Sequence, residues 1–314
     1  MRVAGIDCGT NSIRLLIADV TEDGRLVDVA RRMEIVRLGE GVDRTGRLSD
    51  AALARTRKAL IGYAAEIAEL GISQVRMCAT SASRDASNAA DFRTMVRGVL
   101  GVDPEVITGD EEARLSFAGA VAGLDAEAPY LIVDIGGGST EFVTGSTGVA
   151  PPTDSPGLGS YRAISMDIGC VRMTERHLHD DPPTAAQITA ASEDIAAAVE
   201  TALAAVPGRE AATLVGLAGT VTTVAALAIG LDAYDPARIH HARIGREQVA
   251  EVTDELLGMS VAERLALPVM HPGRADVIGG GALILATIME LSGQSTVVAS
   301  EHDILDGICF SLLA

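Results

Sequence analysis

Apolar and polar positions alternate, with many β-branched residues, over Val3 to Cys8, Ser12 to Val20 and Arg25 to Leu38, and the runs are broken at Gly9 and at Glu22-Asp23-Gly24. Period-two runs separated by short turn signals predict three consecutive antiparallel strands. From Asp50 to Leu70 the apolar residues return at helical spacing, with Ser49 placed to cap the start and Gly71 to stop the helix. Gln74 to Thr80 then reads as a strand, Ala86 to Leu100 as a helix, Glu105 to Thr108 as a strand and Glu111 to Val121 as a helix. The predicted order is βββαβαβα.

After a loop at Asp125 to Pro129 the pattern restarts, with strands expected at Tyr130 to Ile135, Ser139 to Thr144 and Tyr161 to Asp167. Helical periodicity follows at Val171 to Leu178, Ala185 to Val206, Val221 to Ala228, Arg246 to Leu257 and Gly281 to Leu291, with strands between them at Thr213 to Leu217 and Thr296 to Ala299. Pro151-Pro152 to Pro156 reads as a short surface connection. The restart carries residues as well as element order. Asp7-Cys8-Gly9-Thr10-Asn11-Ser12 and Asp134-Ile135-Gly136-Gly137-Gly138-Ser139 share the frame D-x-G-x-x-S at an offset of 134 − 7 = 127 residues. Val75 to Ser81 echoes Leu214 to Val221 at the similar offset of 220 − 80 = 140, matching Thr220 to Thr80. The chain thus reads as an internal duplication. A last helix, Asp303 to Leu313, is expected to cross back onto the first lobe, so the lobes are 1–124 plus about 300–314, and 125–299.

Length agrees with this division, since 314 residues is long for one core and comfortable for two. The 48% hydrophobic content is core material, because no apolar run approaches the roughly 18 residues of a membrane span. The N-terminus runs directly into a strand pattern with no secretory signature, so a cytoplasmic protein without a membrane partner is expected. Four separated cysteines without a CxxC pair predict reduced thiols, and the six histidines lack the spacing of a helical metal site. A net charge of −18 argues against a nucleic-acid partner. It does not exclude an anionic substrate, because exposed charges are screened beyond about 8 Å at physiological salt and local cations decide.

Each D-x-G-x-x-S frame puts a carboxylate at a strand end, then a turn whose glycines expose backbone N–H groups, then a hydroxyl. Successive N–H groups make an anion-binding concavity, although a lone glycine-rich turn can be a simple hairpin. Two copies at matching positions favour phosphate binding. Asp7, Asp134 and Glu141 would repel a phosphate unless a cation intervened, and Mg2+ is the hard ion held by few carboxylates, water and phosphate oxygens. Glu141 also reads as an exposed strand residue. Glu111 and Glu112 fall in a first helical turn, where acidic residues complement the helix dipole, or one of them acts as general base. Arg84 reads as either a surface helix residue or a phosphate clamp.

Gly5 to Leu15, Ala79-Thr80-Ser81-Ala82-Ser83-Arg84-Asp85-Ala86, the EEAR of Glu111 to Arg114, the DIGGGSTE of Asp134 to Glu141, and Arg274-Ala275-Asp276 together resemble the exopolyphosphatase/guanosine pentaphosphate phosphohydrolase family. The resemblance runs from about residue 3 to 310. It implies an α/β fold of two actin-like (ribonuclease H-like) lobes, that of the actin, sugar-kinase and heat-shock ATPase superfamily, with an interlobe cleft. By motif, Glu112 matches the family's catalytic base, and Asp134 and Glu141 its magnesium-associated carboxylates, with Asp7 near them. Asn11, Ser12, Arg84, Gly136, Gly137, Gly138 and Ser139 fall at phosphate-binding positions, and Cys170 and Arg274 align with cleft-lining ones. Gly216-Leu217-Ala218-Gly219-Thr220 resembles the superfamily's nucleotide-proximal motif, and equally a glycine admitting close strand–helix packing.

The resemblance implies a hydrolase releasing terminal orthophosphate from inorganic polyphosphate, with guanosine pentaphosphate as the alternative substrate and Mg2+, or else Mn2+, as cofactor. A homodimer is the family expectation. Long members add a C-terminal HD-type domain that this sequence does not show, which leads to an expected preference for short chains. An ATP-dependent small-molecule kinase and a non-catalytic phosphonucleotide sensor are the competing readings, and the EEAR element beside DIGGGSTE ranks hydrolysis above both.

Overall fold

A computed structural model describes residues 1–22, 24–146 and 161–313; the Pro151–Pro156 connection lies outside them. The chain divides into two compact units, Met1–Gly119 with Ile304–Ala314, and Ala120–Asp303. Each is an α/β unit built on one mixed sheet.

The first unit runs β1 (Arg2–Cys8), β2 (Ser12–Val20), β3 (Leu26–Ile35), α1 (Val42–Thr45), α2 (Asp50–Glu69), β4 (Val75–Ala79), α3 (Ser81–Asp85), α4 (Ala89–Leu100), β5 (Glu105–Val106) and α5 (Gly109–Val121). The second runs β6 (Tyr130–Ile135), β7 (Thr140–Gly145), β8 (Arg162–Met166), α6 (Cys170–His177), α7 (Ala185–Ala205), β9 (Thr213–Leu217), α8 (Ala218–Ala228), α9 (Pro236–Ile239), β10 (Arg243–Gly245), α10 (Arg246–Gly258), α11 (Val261–Leu265), α12 (Ile278–Ser292) and β11 (Thr296–Ala299). The closing helix α13 (Ile304–Phe310) belongs to the first unit.

The strand orders are β3-β2-β1-β4-β5 and β8-β7-β6-β9-β11-β10. In both, the first strand of the opening meander pairs antiparallel with the second and parallel with the strand that follows the first long helix. The two sheets therefore repeat one actin-like topology, with β10 added antiparallel at the end of the second.

Burial on both faces explains the nearly continuous apolar runs of β1 and β2. Ala4, Ile6, Ile13, Leu15 and Ile17 face a core completed by Leu60, Tyr63, Met77 and Phe92. Val3, Leu16 and Ala18 face Leu305 and Cys309 of α13 on the other side. Asp306 of α13 is buried and receives Arg31 Nη2 at 2.7 Å, which ties the helix to β3. In the second unit Leu131, Val133, Phe142 and Leu214 of the sheet pack with Ile195, Val199, Ile284 and Ile288.

Several boundaries differ from the sequence expectation. Residues 81–85 form a short helix of their own, and α4 starts at Ala89 rather than Ala86. α8 begins at Ala218 and α12 at Ile278, each three residues ahead of the periodic pattern, because both first turns contain glycine. β10, only three residues long, carries too little pattern to be recognised.

Candidate active site

The tight turn after β1 closes through Gly9 N–H donating to Ser12 O at 3.0 Å; the turn after β6 closes through Gly136 N–H donating to Ser139 O, also at 3.0 Å. The duplicated D-x-G-x-x-S frames are therefore one turn built twice. They differ at the cross-strand position that faces the aspartate. Asp7 pairs with Arg14 in the β1–β2 register, whereas Asp134 pairs with Glu141 in the β6–β7 register.

In the first unit that difference gives an internally neutralised corner. Arg14 donates to Asp7 Oδ2 through Nε at 3.0 Å and Nη2 at 2.7 Å. The turn is held by its neighbours: Thr10 Oγ1 and Ser81 Oγ are 2.9 Å apart, Val36 and Arg37 N–H both donate to Asn11 O, and Gly39 N–H donates to Thr10 O. Gly39 has to be glycine, since a Cβ there would sit 2.3 Å from Thr10 Cγ2. Ser12 opens β2 beside the turn.

On the same unit Arg84 of α3 donates from Nη1 to Ile107 O at 2.9 Å and to Glu112 Oε2 at 3.2 Å. Thr108 caps the start of α5, its Oγ1 accepting from Glu111 N–H and its carbonyl from Glu112 N–H. The two glutamates go different ways. Glu111 is drawn to Arg114 and to Arg76, while Glu112 is buried, 8% exposed, and takes Arg84. Ser83, buried beside Arg84, has a hydroxyl with no partner among the described residues.

In the second unit Asp134 and Glu141, 7% and 1% exposed, are directly opposed on antiparallel strands, so both side chains project from one face of the sheet. Ser165 of β8 donates to Glu141 Oε1 at 2.7 Å. Two buried carboxylates facing each other are costly unless a cation or a shared proton separates them. Among the described residues no group of three His, Cys, Asp or Glu side chains forms a complete metal cage. Two carboxylates with water and substrate phosphate oxygens completing the shell is the pattern of Mg2+ rather than of zinc, so this donor set fits the ion.

Gly137 and its neighbours are oriented by the start of α6. Cys170 N–H donates to Gly136 O, and Val171 and Arg172 N–H to Gly137 O, at 2.9 to 3.1 Å. Arg172 Nε adds a bond to Gly138 O at 2.7 Å. Gly169 permits the approach, because a Cβ on it would lie 2.4 Å from Gly137 O. The carbonyls of Gly136, Gly137 and Gly138 are thus all taken up by the start of α6, which fixes the backbone of the turn. Cys170 is buried and its thiol is pushed up to about 11, chiefly by burial. Arg274 lies against Gly219, and its Nη1 is 3.4 Å from Thr223 Oγ1.

Within the first unit, then, Asp7, Asn11 and Ser12 share the turn, and Arg84 joins Glu112. Within the second, Asp134, Gly136 to Ser139 and Glu141 share the other turn, with Cys170 bonded to it. Sequence reasoning missed Arg172, Gly169, Ser165 and the Thr10–Ser81 contact. Arg172 carried one signal, an arginine two residues beyond Gly169-Cys170, but nothing in its spacing points at a carbonyl 34 residues away.

The sequence profile of the Ppx/GppA phosphatase family matches residues 16–314. A Mycobacterium tuberculosis protein named exopolyphosphatase 2 is 51% identical over 99% of this chain and 98% of its own length. The crystal structure of an exopolyphosphatase-like protein superposes with a TM-score of 0.91 at 45% identity, covering 98% of this chain and 97% of the other. An Aquifex aeolicus member of the Ppx/GppA family superposes with a TM-score of 0.82 at 32% identity, covering 100% and 97%. An exopolyphosphatase from Cytophaga hutchinsonii, 24% identical, shares the fold with a TM-score of 0.88, covering 100% and 98%.

Proposed function

The chain belongs to the Ppx/GppA phosphatase family, and from that premise we propose that it is an exopolyphosphatase, releasing orthophosphate from the end of inorganic polyphosphate. The observation that carries the reading is the opposition of Asp134 and Glu141 beside a glycine turn, where the duplicate turn has Asp7 and Arg14. One turn carries a neutral pair and the other a carboxylate pair, an arrangement that a bound cation would stabilise. Polyphosphate is favoured over guanosine pentaphosphate by the exopolyphosphatase name of the 51% identical relative.

In this reading Glu112 accepts a proton from water as the water oxygen bonds to the terminal phosphorus and the bridging P–O bond breaks, the electron pair leaving with the shortened chain. Arg84 orients the Glu112 carboxylate through its bond to Oε2. Backbone N–H groups of the two turns, with Asn11, Ser12 and Ser139, bind and orient phosphate oxygens. Asp134 and Glu141 would hold the Mg2+, which when bound supplies charge neutralisation for the phosphoryl oxygens. Proton abstraction by a positioned base is worth roughly 10²- to 10⁴-fold, so electrostatic stabilisation and positioning carry the larger share of the rate. A cytoplasmic homodimer completes the proposal.

The test is orthophosphate release from short-chain polyphosphate, long-chain polyphosphate, guanosine pentaphosphate and ATP, each with and without Mg2+ or Mn2+. Metal-dependent release from polyphosphate is expected. Release from guanosine pentaphosphate alone would replace polyphosphate with the nucleotide; ADP formation that needs an added acceptor would mean a kinase, and binding without release a sensor.

A further inference from the structure

β9 passes into α8 through Ala218, whose φ of 66° places a non-glycine residue in the left-handed region. The turn brings the next residue, Gly219, face-on to the guanidinium of Arg274. A Cβ built on Gly219 would lie 2.2 Å from Arg274 Cζ, 2.3 Å from Nη2 and 2.5 Å from Nε, so the guanidinium occupies the space where a side chain would be. One helical turn on, the buried Thr223 uses both capacities of its hydroxyl. It donates to Gly219 O at 2.7 Å and accepts from Arg274 Nη1 at 3.4 Å.

The other end of Arg274 is fixed as well. Its N–H donates to His271 O, and its carbonyl accepts from Val277 and Ile278 N–H at 3.0 and 2.8 Å. The neighbouring Ala275 O accepts from Nη1 of the buried Arg264 at 3.1 Å. Both the root and the head of Arg274 are thus set by the surrounding structure. The head lies against the first turn of α8.

We propose that Gly219 and Thr223 are positioning residues that seat the Arg274 guanidinium for substrate phosphate, Gly219 by leaving the volume open and Thr223 by fixing the rotamer. The inference rests on the exopolyphosphatase reading and on Arg274 as a phosphate ligand. Within the Gly216–Thr220 turn, Gly216 serves the close strand–helix packing, since a Cβ there would lie 2.8 Å from Val221 Cγ1, while Gly219 makes room for an arginine.

The test is a double-mutant cycle on KM and kcat for short-chain polyphosphate, using Gly219→Ala, Thr223→Val, Arg274→Ala and the two doubles with Arg274→Ala. Gly219→Ala should raise KM about tenfold, the size of a 1.4 kcal/mol loss of binding, with kcat changed much less. Thr223→Val should raise KM about threefold. In the Arg274→Ala background neither should add more than about twofold, since residues acting through one group are non-additive. Full multiplication of the effects, or a Gly219→Ala protein with lowered Tm and unchanged KM, would overturn the positioning role. An Arg274→Ala protein with wild-type KM would overturn the phosphate contact on which it rests. Wild-type protein that releases no phosphate from polyphosphate would refute the functional reading itself, and the seat proposed for its substrate with it. If Gly219→Ala fails to fold, Thr223→Val carries the same cycle.

Discussion

Arg84 Nη1 spans Ile107 O at 2.9 Å and Glu112 Oε2 at 3.2 Å, so the guanidinium that orients the proposed base is itself anchored to the backbone just ahead of the helix carrying that base. Glutamine at position 112 would keep the volume and the oxygen that Arg84 needs while losing the ability to take a proton. Glu112→Gln should therefore lower kcat by about 10²- to 10⁴-fold with KM and Tm little changed. Turnover near that of the wild type in a phosphate-release assay would remove Glu112 from the role of base.

The seat of α5 offers a second test, at a distance from the carboxylate. A Cβ on Gly307 of α13 would lie 2.0 Å from Leu115 O, a backbone atom of the helix that bears Glu112. Backbone cannot step aside as a side chain can. Gly307→Ala should cost about 1–3 kcal/mol, the range of overpacking in a close-packed interior, and lower kcat because α5 must move. Chemical denaturation alongside turnover checks both, and an unshifted midpoint would show that α13 does not bear on α5 so closely.

How much of this was legible in the sequence depends on whether the information is local. The strands β1, β2 and β6 and the turns after β1 and β6 are visible because alternation and the D-x-G-x-x-S frame lie within a dozen residues. The start of α12 was hidden by Gly279-Gly280-Gly281, which reads as a helix breaker. Those helical positions are glycine where neighbours press close: a Cβ at Gly280 would lie 2.8 Å from Thr174 Oγ1, and one at Gly281 2.5 Å from Thr220 Oγ1. The same holds at the site. Asp134 and Glu141 could be read from their motif, but that Arg14 takes Glu141's place opposite Asp7 becomes meaningful only with the register of both sheets. Arg172 and Gly169 act on carbonyls more than 30 residues away and have no local pattern.

His241 predicts a pH dependence of stability. Its ring stacks on His240 with centroids 3.7 Å apart, its backbone N–H donates to Ala299 O, and its buried Nε2 has no partner among the described residues. Burial first, then the nearby charges of His302 and Arg243, hold its pKa below the ordinary 6.5, against a smaller opposing pull from Asp125. Between the folded value and 6.5 the unfolded chain binds a proton that the folded one refuses, so His241 lowers stability as pH falls through 6.5 and has no such effect above it. His241→Asn keeps a residue type that tolerates the φ of 64°. Thermal melts from pH 7.5 to 5.5 should show a shallower loss of Tm for this variant; equal slopes would mean that other groups account for the acid limb.

Ala218 joins stability to function at the turn that presents Arg274. An L-residue at φ 66° costs roughly 1–2 kcal/mol from the contact between Cβ and backbone, and glycine would remove that cost at an entropic penalty of about 0.5–1 kcal/mol. Ala218→Gly should therefore gain a few tenths to about 1 kcal/mol, a rise in Tm of roughly 2 °C. The same change loosens the one turn that holds Gly219 under the guanidinium, so KM for short-chain polyphosphate should rise about twofold even as the protein melts later, the usual trade where strain supports a site. A higher Tm with unchanged KM would mean that Gly219 and Thr223 hold Arg274 without help from the preceding residue. A lower Tm would mean that the alanine methyl packs well enough to outweigh its own strain.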